Sequence, residues 1–190
     1  MKKIVIVNVH WNNRGDEAAL MAIVNRLLAE YHDIDLSILF GDDKEIQQFP
    51  KLENVKYYSA KITSSPWKIW LSAITGGFIC FDDQLKKSIN IIKQSDLILY
   101  GPGGSVINMR FWWKKQLQYL MPFIFSKIYK IPMMVCAPSI GPFDTKNNNW
   151  ILKYFLKVPK VLCVREEISK KYLNQIGIKD NVSVTIDSAF

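Results

Sequence analysis

Cysteine, histidine, acidic residues and long apolar runs are all scarce in this 190-residue chain, and each shortage removes a class of protein. The three cysteines, Cys80, Cys136 and Cys163, stand far apart with no Cys-x-x-Cys pair. No zinc site follows from that spacing, and a disulfide framework is disfavoured. Each cysteine has apolar neighbours in sequence, so buried, reduced thiols are expected. The two histidines, His10 and His32, have no partner at metal-ligand spacing, and no metal is expected. His10 stands near the end of the first apolar run, and His32 is expected to be solvated. The chain lacks Gly-x-Gly-x-x-Gly and Gly-x4-Gly-Lys-Ser/Thr, which disfavours dinucleotide and P-loop nucleotide binding. The apolar stretch from Trp67 to Phe81 contains Lys68 and two glycines. It falls short of the roughly 20 residues that span a bilayer. The N-terminal run reaching Val9 has no small-residue cleavage site after it, so it reads as a first strand rather than a signal peptide. A cytoplasmic protein is expected.

The shortage of acid is uneven. Lys and Arg number 25 against 17 Asp and Glu, a net charge of +8. Residues 1–95 are nearly balanced, with 12 basic and 11 acidic groups, whereas residues 96–190 carry 13 and 6. Such an excess favours acidic partners: phosphates, anionic small molecules, lipid or nucleic acid. No recognised motif supports nucleic acid. The length suits one domain. A hydrophobic content of 49% and a mean hydropathy near zero exclude a disordered or fibrous chain.

The apolar, β-branched run Ile4–Val9 suits a strand buried on both faces. A helix is expected over Asp16–Tyr31, with Asp16 and Glu17 at the positive end of its dipole. Strands follow at Ile34–Phe40 and Val55–Tyr58. Two aromatic-rich segments around Gly76-Gly77 read as helical. Then come a strand at Asp96–Tyr100, a helix over 108–130 containing Pro122, and a strand at Pro132–Ala137. A helix at Asn147–Leu156, a strand at Val161–Val164, a helix closed by Gly177 and a strand at Val182–Ile186 complete the chain. This order predicts an α/β, doubly wound, mostly parallel Rossmann-like sheet. Ligands of such sheets lie beyond the carboxyl ends of the strands, so the loops there are the informative places.

The first of these loops runs His10-Trp11-Asn12-Asn13-Arg14-Gly15-Asp16-Glu17. It is either a helix cap with surface charge or a ligand loop in which Gly15 lets the backbone approach closely. Gly101-Pro102-Gly103-Gly104-Ser105 is either a tight turn or an anion-holding nest. Pro138-Ser139-Ile140-Gly141-Pro142-Phe143 is either a rigid turn or a preshaped wall with one hydroxyl in the cleft. Arg165, at the end of a strand, suits a two-point grip on phosphate or carboxylate, or an ion pair with a neighbouring carboxylate. Glu166 and Glu167 suit a helix N-terminus by charge alone. The run Arg110–Lys115 mixes aromatics with cations, as a membrane-surface helix does, as a surface that stacks on bases does, or as a helix with core tryptophans and a charged rim does.

Five segments together resemble the polysaccharide pyruvyl transferase family: "NRGDEAAL" at 13–20, "GPGGS" at 101–105, "SIGPF" at 139–143, "REEISKKYLNQIGI" at 165–178 and "DSAF" at 187–190. Two positions depart from the family pattern, Pro102 within the glycine run and Ser188 where proline is common. The resemblance implies one half of a GT-B-type transferase, in which two Rossmann-like domains face a cleft. Residues 1–190 would form the N-terminal, acceptor-side domain. A C-terminal partner domain, carrying the expected catalytic histidine, would be absent from this chain, and the chain alone would have little activity. The implied reaction moves the pyruvyl group of phosphoenolpyruvate to two hydroxyls of a sugar as a ketal. The acceptor would be a cell-surface or exported polysaccharide, often as a lipid-linked precursor, and contact with the inner face of the membrane would suit it. No cofactor is implied, phosphoenolpyruvate being the donor substrate. That reaction needs cations to hold phosphate and carboxylate, and Arg165 is expected to be the anion clamp in this half. Asp16 or Glu17 would orient or deprotonate the acceptor hydroxyl. Asn13, Arg14, Gly15, Gly103, Gly104, Ser105, Ser139, Gly141 and Glu166 would line the substrate. Two other readings stand beside it: half of a nucleotide-sugar glycosyltransferase, and a non-catalytic domain that binds a glycan or membrane surface.

Overall fold

A computed structural model of the chain describes residues 1–11, 13–101, 114–143 and 149–186. Seven parallel strands form one sheet. They are β1 (Lys2–Val9), β2 (Ile34–Phe40), β3 (Val55–Ser59), β4 (Leu97–Tyr100), β5 (Met133–Val135), β6 (Val161–Val164) and β7 (Val182–Val184). Their order across the sheet is β3-β2-β1-β4-β5-β6-β7. The direction of winding reverses between β1 and β4, which is the switch point where ligands of such sheets bind. The expected doubly wound sheet is therefore what the chain forms.

Alternation along the strands divides the core by face. Val5, Val7, Ile98 and Tyr100 point to one side, where they meet helices α3 (Pro66–Ile74), α4 (Asp83–Lys93), α5 (Lys114–Tyr129), α6 (Asn149–Leu156) and α7 (Glu167–Gln175). Ile4, Ile6, Leu36 and Ile38 point to the other, against α1 (Arg14–Glu30) and α2 (Asp43–Gln48). Each fully buried Leu or Ile of these clusters contributes roughly 1.5–3 kcal/mol.

The caps explain where the helices start. Helix α1 begins at Arg14, two residues ahead of the expected Asp16, behind the cap Asn13, whose side chain accepts the Gly15 N–H. Asp42 and Glu45 form a reciprocal capping box on α2, a helix the sequence reading does not include. Asp82 caps α4 through the N–H groups of Gln84 and Leu85, while its other oxygen accepts from the backbone of Thr63 and Ser64. Burial opposes its charge, yet these donors outweigh burial and bring the carboxyl down to about 2. One expectation fails here: α3 ends at Ile74, so residues 78–81 are not helical. Strands β5 and β7 are also shorter than expected, at three residues each. Helix α5 passes through Pro122 as expected, although the expected start at residue 108 lies outside the described residues.

Of the three thiols only Cys136 is fully buried, with burial raising it to about 12; Cys80 and Cys163 are half-buried, so the expectation of three buried thiols holds for one. His32 is exposed, as expected.

Candidate functional site

The carboxyl edge of the sheet collects the described parts of the predicted loops, and two structural devices shape it. The first is at the switch point. Asn8 adopts φ 59°, and the register of β1 slips between Ile6 and Val9. Gly101 passes directly beneath this irregularity, its N–H donating to Val7 O at 2.7 Å. A Cβ on Gly101 would stand 2.6 Å from Val7 O and closer still to Asn8 O, so only glycine fits. The rest of that turn, including Gly103, Gly104 and Ser105, lies outside the described residues.

The second device is Glu45. Although almost fully buried, its carboxylate accepts from Trp11 N–H at 3.2 Å, Gly41 N–H at 3.1 Å and Asp42 N–H at 3.3 Å. It ties the loop after β1 to the loop after β2. Sequence reasoning missed it, although the Asp42-x-x-Glu45 spacing signals a capping box.

In the first loop, Asn13 Oδ1 accepts from Gly15 N–H at 3.1 Å, and Asn13 O accepts from Glu17 N–H at 2.9 Å. A Cβ on Gly15 would meet nothing nearer than Asn13 Oδ1 at 3.6 Å, so the fold itself does not demand glycine there. Arg14 is 98% exposed and lies 4.0 Å from Glu17. Asp16 and Glu17 are half-buried in the first turn of α1.

The loops after β5 and β6 are built differently. Arg165 Nε donates to Ser139 Oγ at 2.6 Å, and Ser139 is buried. Ser169 Oγ, fully buried on α7, accepts from Ile140 N–H at 2.9 Å and donates to Glu166 Oε1 at 3.0 Å. The Ser139 hydroxyl is also hydrogen-bonded to Glu166. Each serine therefore accepts an N–H and donates its own O–H to the same carboxylate. The Ser139 bond, then the Ser169 bond and the Arg165 charge, hold the Glu166 carboxyl below its ordinary range against the opposing effect of burial. Gly141, at φ +94°, closes this wall: a Cβ there would stand 2.5 Å from Cδ2 of Tyr172. The structure thus brings Ser139, Gly141, Arg165 and Glu166 together and adds Ser169, which the sequence reading missed. Its signal is the spacing Glu166-x-x-Ser169, one helical turn. On the sheet β1 and β6 are three strands apart. Asn13–Glu17 thus begin about 14 Å along the edge from Arg165.

A cavity of about 260 Å³ opens beneath the ends of β1 and β2. Its walls are mainly apolar, from Val7, Leu39, Leu85, Ile89 and Phe125, with His10, Glu45 and Ser88 supplying polar groups. None of the predicted site residues that the structure describes lines it. His10 lies edge-on to Tyr119 at its mouth, with ring centroids 6.3 Å apart.

Comparison with known proteins agrees with this architecture. In fold the chain is similar to the UDP-GlcNAc 2-epimerase of Neisseria meningitidis, solved bound to UDP-GlcNAc, with a TM-score of 0.60 at 13% identity. That match covers 100% of this chain and 47% of the epimerase. HepE from Anabaena, solved with UDP and glucose, gives a TM-score of 0.58 at 13% identity over 98% of this chain and 45% of that one. The fold is thus that of one half of a GT-B-like protein. In sequence the chain is 24% identical over 207 residues to the amylovoran biosynthesis protein AmsJ of Erwinia amylovora, and it spans about half of AmsJ, 49% of its length. The model of the family described as polysaccharide pyruvyl transferase matches residues 13–190, from the cap of α1 to the last residue. The chain belongs to the polysaccharide pyruvyl transferase family.

Proposed function

We propose that this chain is the acceptor-side half of an enzyme that moves the pyruvyl group of phosphoenolpyruvate onto two hydroxyls of a sugar. The product is a cyclic ketal on a cell-surface or exported polysaccharide, or on its lipid-linked precursor. Family membership supports pyruvyl transfer on polysaccharide. A second Rossmann-like half would supply much of the donor site.

The reaction balances without any change of oxidation state. One sugar hydroxyl adds to C2 of phosphoenolpyruvate as the methylene carbon takes a proton and becomes a methyl group. The second hydroxyl then displaces the phosphate, which leaves with the remaining proton. The donor carries a carboxylate and a phosphate, so its binding needs cations. The observation that carries the assignment is the seating of Arg165. Ser139 holds its Nε at 2.6 Å, which fixes the plane of the guanidinium at the carboxyl end of β6. A fixed planar fork suits a two-point grip on an oxyanion. Glu166 and Ser169 position this pair rather than touch substrate. Asp16 or Glu17 takes the proton of the attacking hydroxyl, and Asn13 and Ser105 hydrogen-bond the sugar.

Phosphate release from phosphoenolpyruvate in the presence of the saccharide acceptor, measured on the complete enzyme, tests this reading. Arg165→Ala is expected to lower kcat/KM about 100-fold, as loss of one charged transition-state donor does. Arg165→Lys rescues little of that loss, because an ammonium cannot grip in two places. Turnover of Arg165→Ala within about twofold of wild type overturns the clamp. Release of UDP from a UDP-sugar, with phosphoenolpyruvate left intact, would instead make the protein a nucleotide-sugar glycosyltransferase.

A further inference from the structure

The end of the domain opposite the carboxyl edge carries an apolar ridge beside a basic hollow. Helix α3 buries Ile69, Ser72 and Ala73 against the core, yet its other face is also apolar. Ile74 is 78% exposed, and Phe78 in the turn that follows is 93% exposed. Ile128, 43% exposed near the end of α5, continues the ridge. Two contacts fix this continuity: the Tyr129 hydroxyl donates to Gly76 O, and Ile128 Cγ2 lies 3.3 Å from where a Gly76 Cβ would sit. On the other flank of the α5 terminus is a hollow of about 450 Å³. Four lysines line it, Lys127, Lys130, Lys157 and Lys160, and among the described residues no Asp or Glu does. Lys127 Nζ lies over the half-exposed Tyr154 ring, 3.7 Å from its centroid. Further up the flank, Lys68 Nζ lies 5.6 Å from the Trp67 ring centroid and 5.5 Å from that of Phe81.

A water-facing helix gains nothing from Ile74 and Phe78 at such exposure, and contiguous apolar surface of this kind marks an interaction site. The basic hollow beside it selects among partners. Apolar and aromatic side chains that enter the acyl boundary, flanked by lysines that meet anionic headgroups, form the pattern of an interfacial membrane contact. No helix among the described residues is long and apolar enough to cross a membrane, so the contact is peripheral. We propose that this end of the domain, through Ile74, Phe78 and Ile128 with the lysines around 127–130 and 157–160, docks on an anionic lipid bilayer. The carboxyl edge then faces away from the bilayer surface. Residues 110–113 of the segment singled out in the sequence for the same property lie outside the described residues.

Sedimentation of the intact protein with phosphatidylcholine vesicles, with and without about one-third phosphatidylglycerol, tests the proposal without any need for turnover. Wild type is expected to bind the anionic vesicles and to lose that binding in high salt. The double variant Ile74→Ser/Phe78→Ser, and separately Lys157→Glu/Lys160→Glu, each weaken binding roughly tenfold or more while circular dichroism stays unchanged. Because Phe78 and Ile74 are so exposed, these changes leave the core untouched. Equal sedimentation of wild type and both variants overturns the proposal, as does failure of wild type to bind. A wild-type dimer that the serine variant dissolves, with no vesicle binding, would assign the ridge to a second copy of the chain and overturn it as well.

Discussion

At the α1 end of the carboxyl edge, Asn13, Arg14, Asp16 and Glu17 belong to one helical turn, and their described bonds run within that turn. At the β5–β6 end, Ser139, Arg165, Glu166 and Ser169 come from two loops and a helix, and each polar group holds another. Residue types alone make the two ends look alike, since each offers an arginine, carboxylates and small polar side chains near a glycine. The difference lies in what fixes the side chains. A capped helical turn presents its charges to water at little cost and with little precision. A partly buried network sets the orientation of the one arginine it contains, and orientation is what a catalytic or binding group needs.

The sharpest way to break this comparison is to add one methyl group at the glycine of each end. Gly141→Ala forces a side chain onto a backbone at φ +94° and into the Tyr172 ring, 2.5 Å away. A loss of about 3 kcal/mol in unfolding free energy is expected from strain and overpacking together. Gly15→Ala places its methyl at ordinary contact distance, 3.6 Å from Asn13 Oδ1, within the first turn of α1. There it stabilises by about 0.5–1 kcal/mol, because alanine is the better helix former. Urea denaturation of the two variants reads both signs. Equal effects would mean that the β5–β6 wall is no more tightly built than the helix cap.

The next largest effect concerns the hub carboxylate. Ser169→Ala removes the acceptor of the buried Ile140 N–H and one donor to Glu166. The cost is about 2 kcal/mol, mostly from the unsatisfied amide. It also acts on pH. The folded state holds Glu166 below its ordinary carboxyl range, so its stabilising contribution is complete above that range and disappears as pH falls through the lower, folded value. With one donor gone, the folded value rises toward the ordinary one, and the loss moves to higher pH. Titration of the Glu166 carboxyl by NMR shows this directly, and an unchanged titration in Ser169→Ala would remove Ser169 from the network.

Much of the fold was legible because the signals were long. Ile4–Val9 is apolar but for Asn8, and Ile34–Phe40 alternates apolar residues with Asp35 and Ser37 before the run Ile38-Leu39-Phe40, patterns whose burial leaves few alternatives to strands. Helix α2 escaped the reading because six residues are too few for periodicity to show, and only its capping box was visible. The segment after Ile74 misled because its apolar content is high, but Gly76 and Gly77 at positive φ end the helix and leave Phe78 exposed instead of buried. At the site, Arg165 was legible from its place at a strand end. Glu45 and Ser169 were not, because a carboxylate and a hydroxyl that serve buried backbone amides look like surface residues until the fold brings those amides to them.

The smallest effect separates the two readings of Asn13. Its side-chain oxygen caps α1 by accepting from Gly15 N–H, so Asn13→Ala costs about 1 kcal/mol of stability whether or not the residue meets a sugar. Asn13→Asp keeps the cap, since a carboxylate oxygen accepts the same N–H and suits the helix dipole. What it removes is the amide NH2, the group that can donate to a sugar oxygen. If Asn13 binds the acceptor, Asn13→Asp restores the unfolding midpoint, but in the complete enzyme kcat/KM for the acceptor falls roughly tenfold, the worth of one hydrogen bond. If full turnover returns together with stability, Asn13 is a helix cap and nothing more. The α1 end of the edge would then contribute only its carboxylates, and recognition of the substrate would rest on the interlocked end.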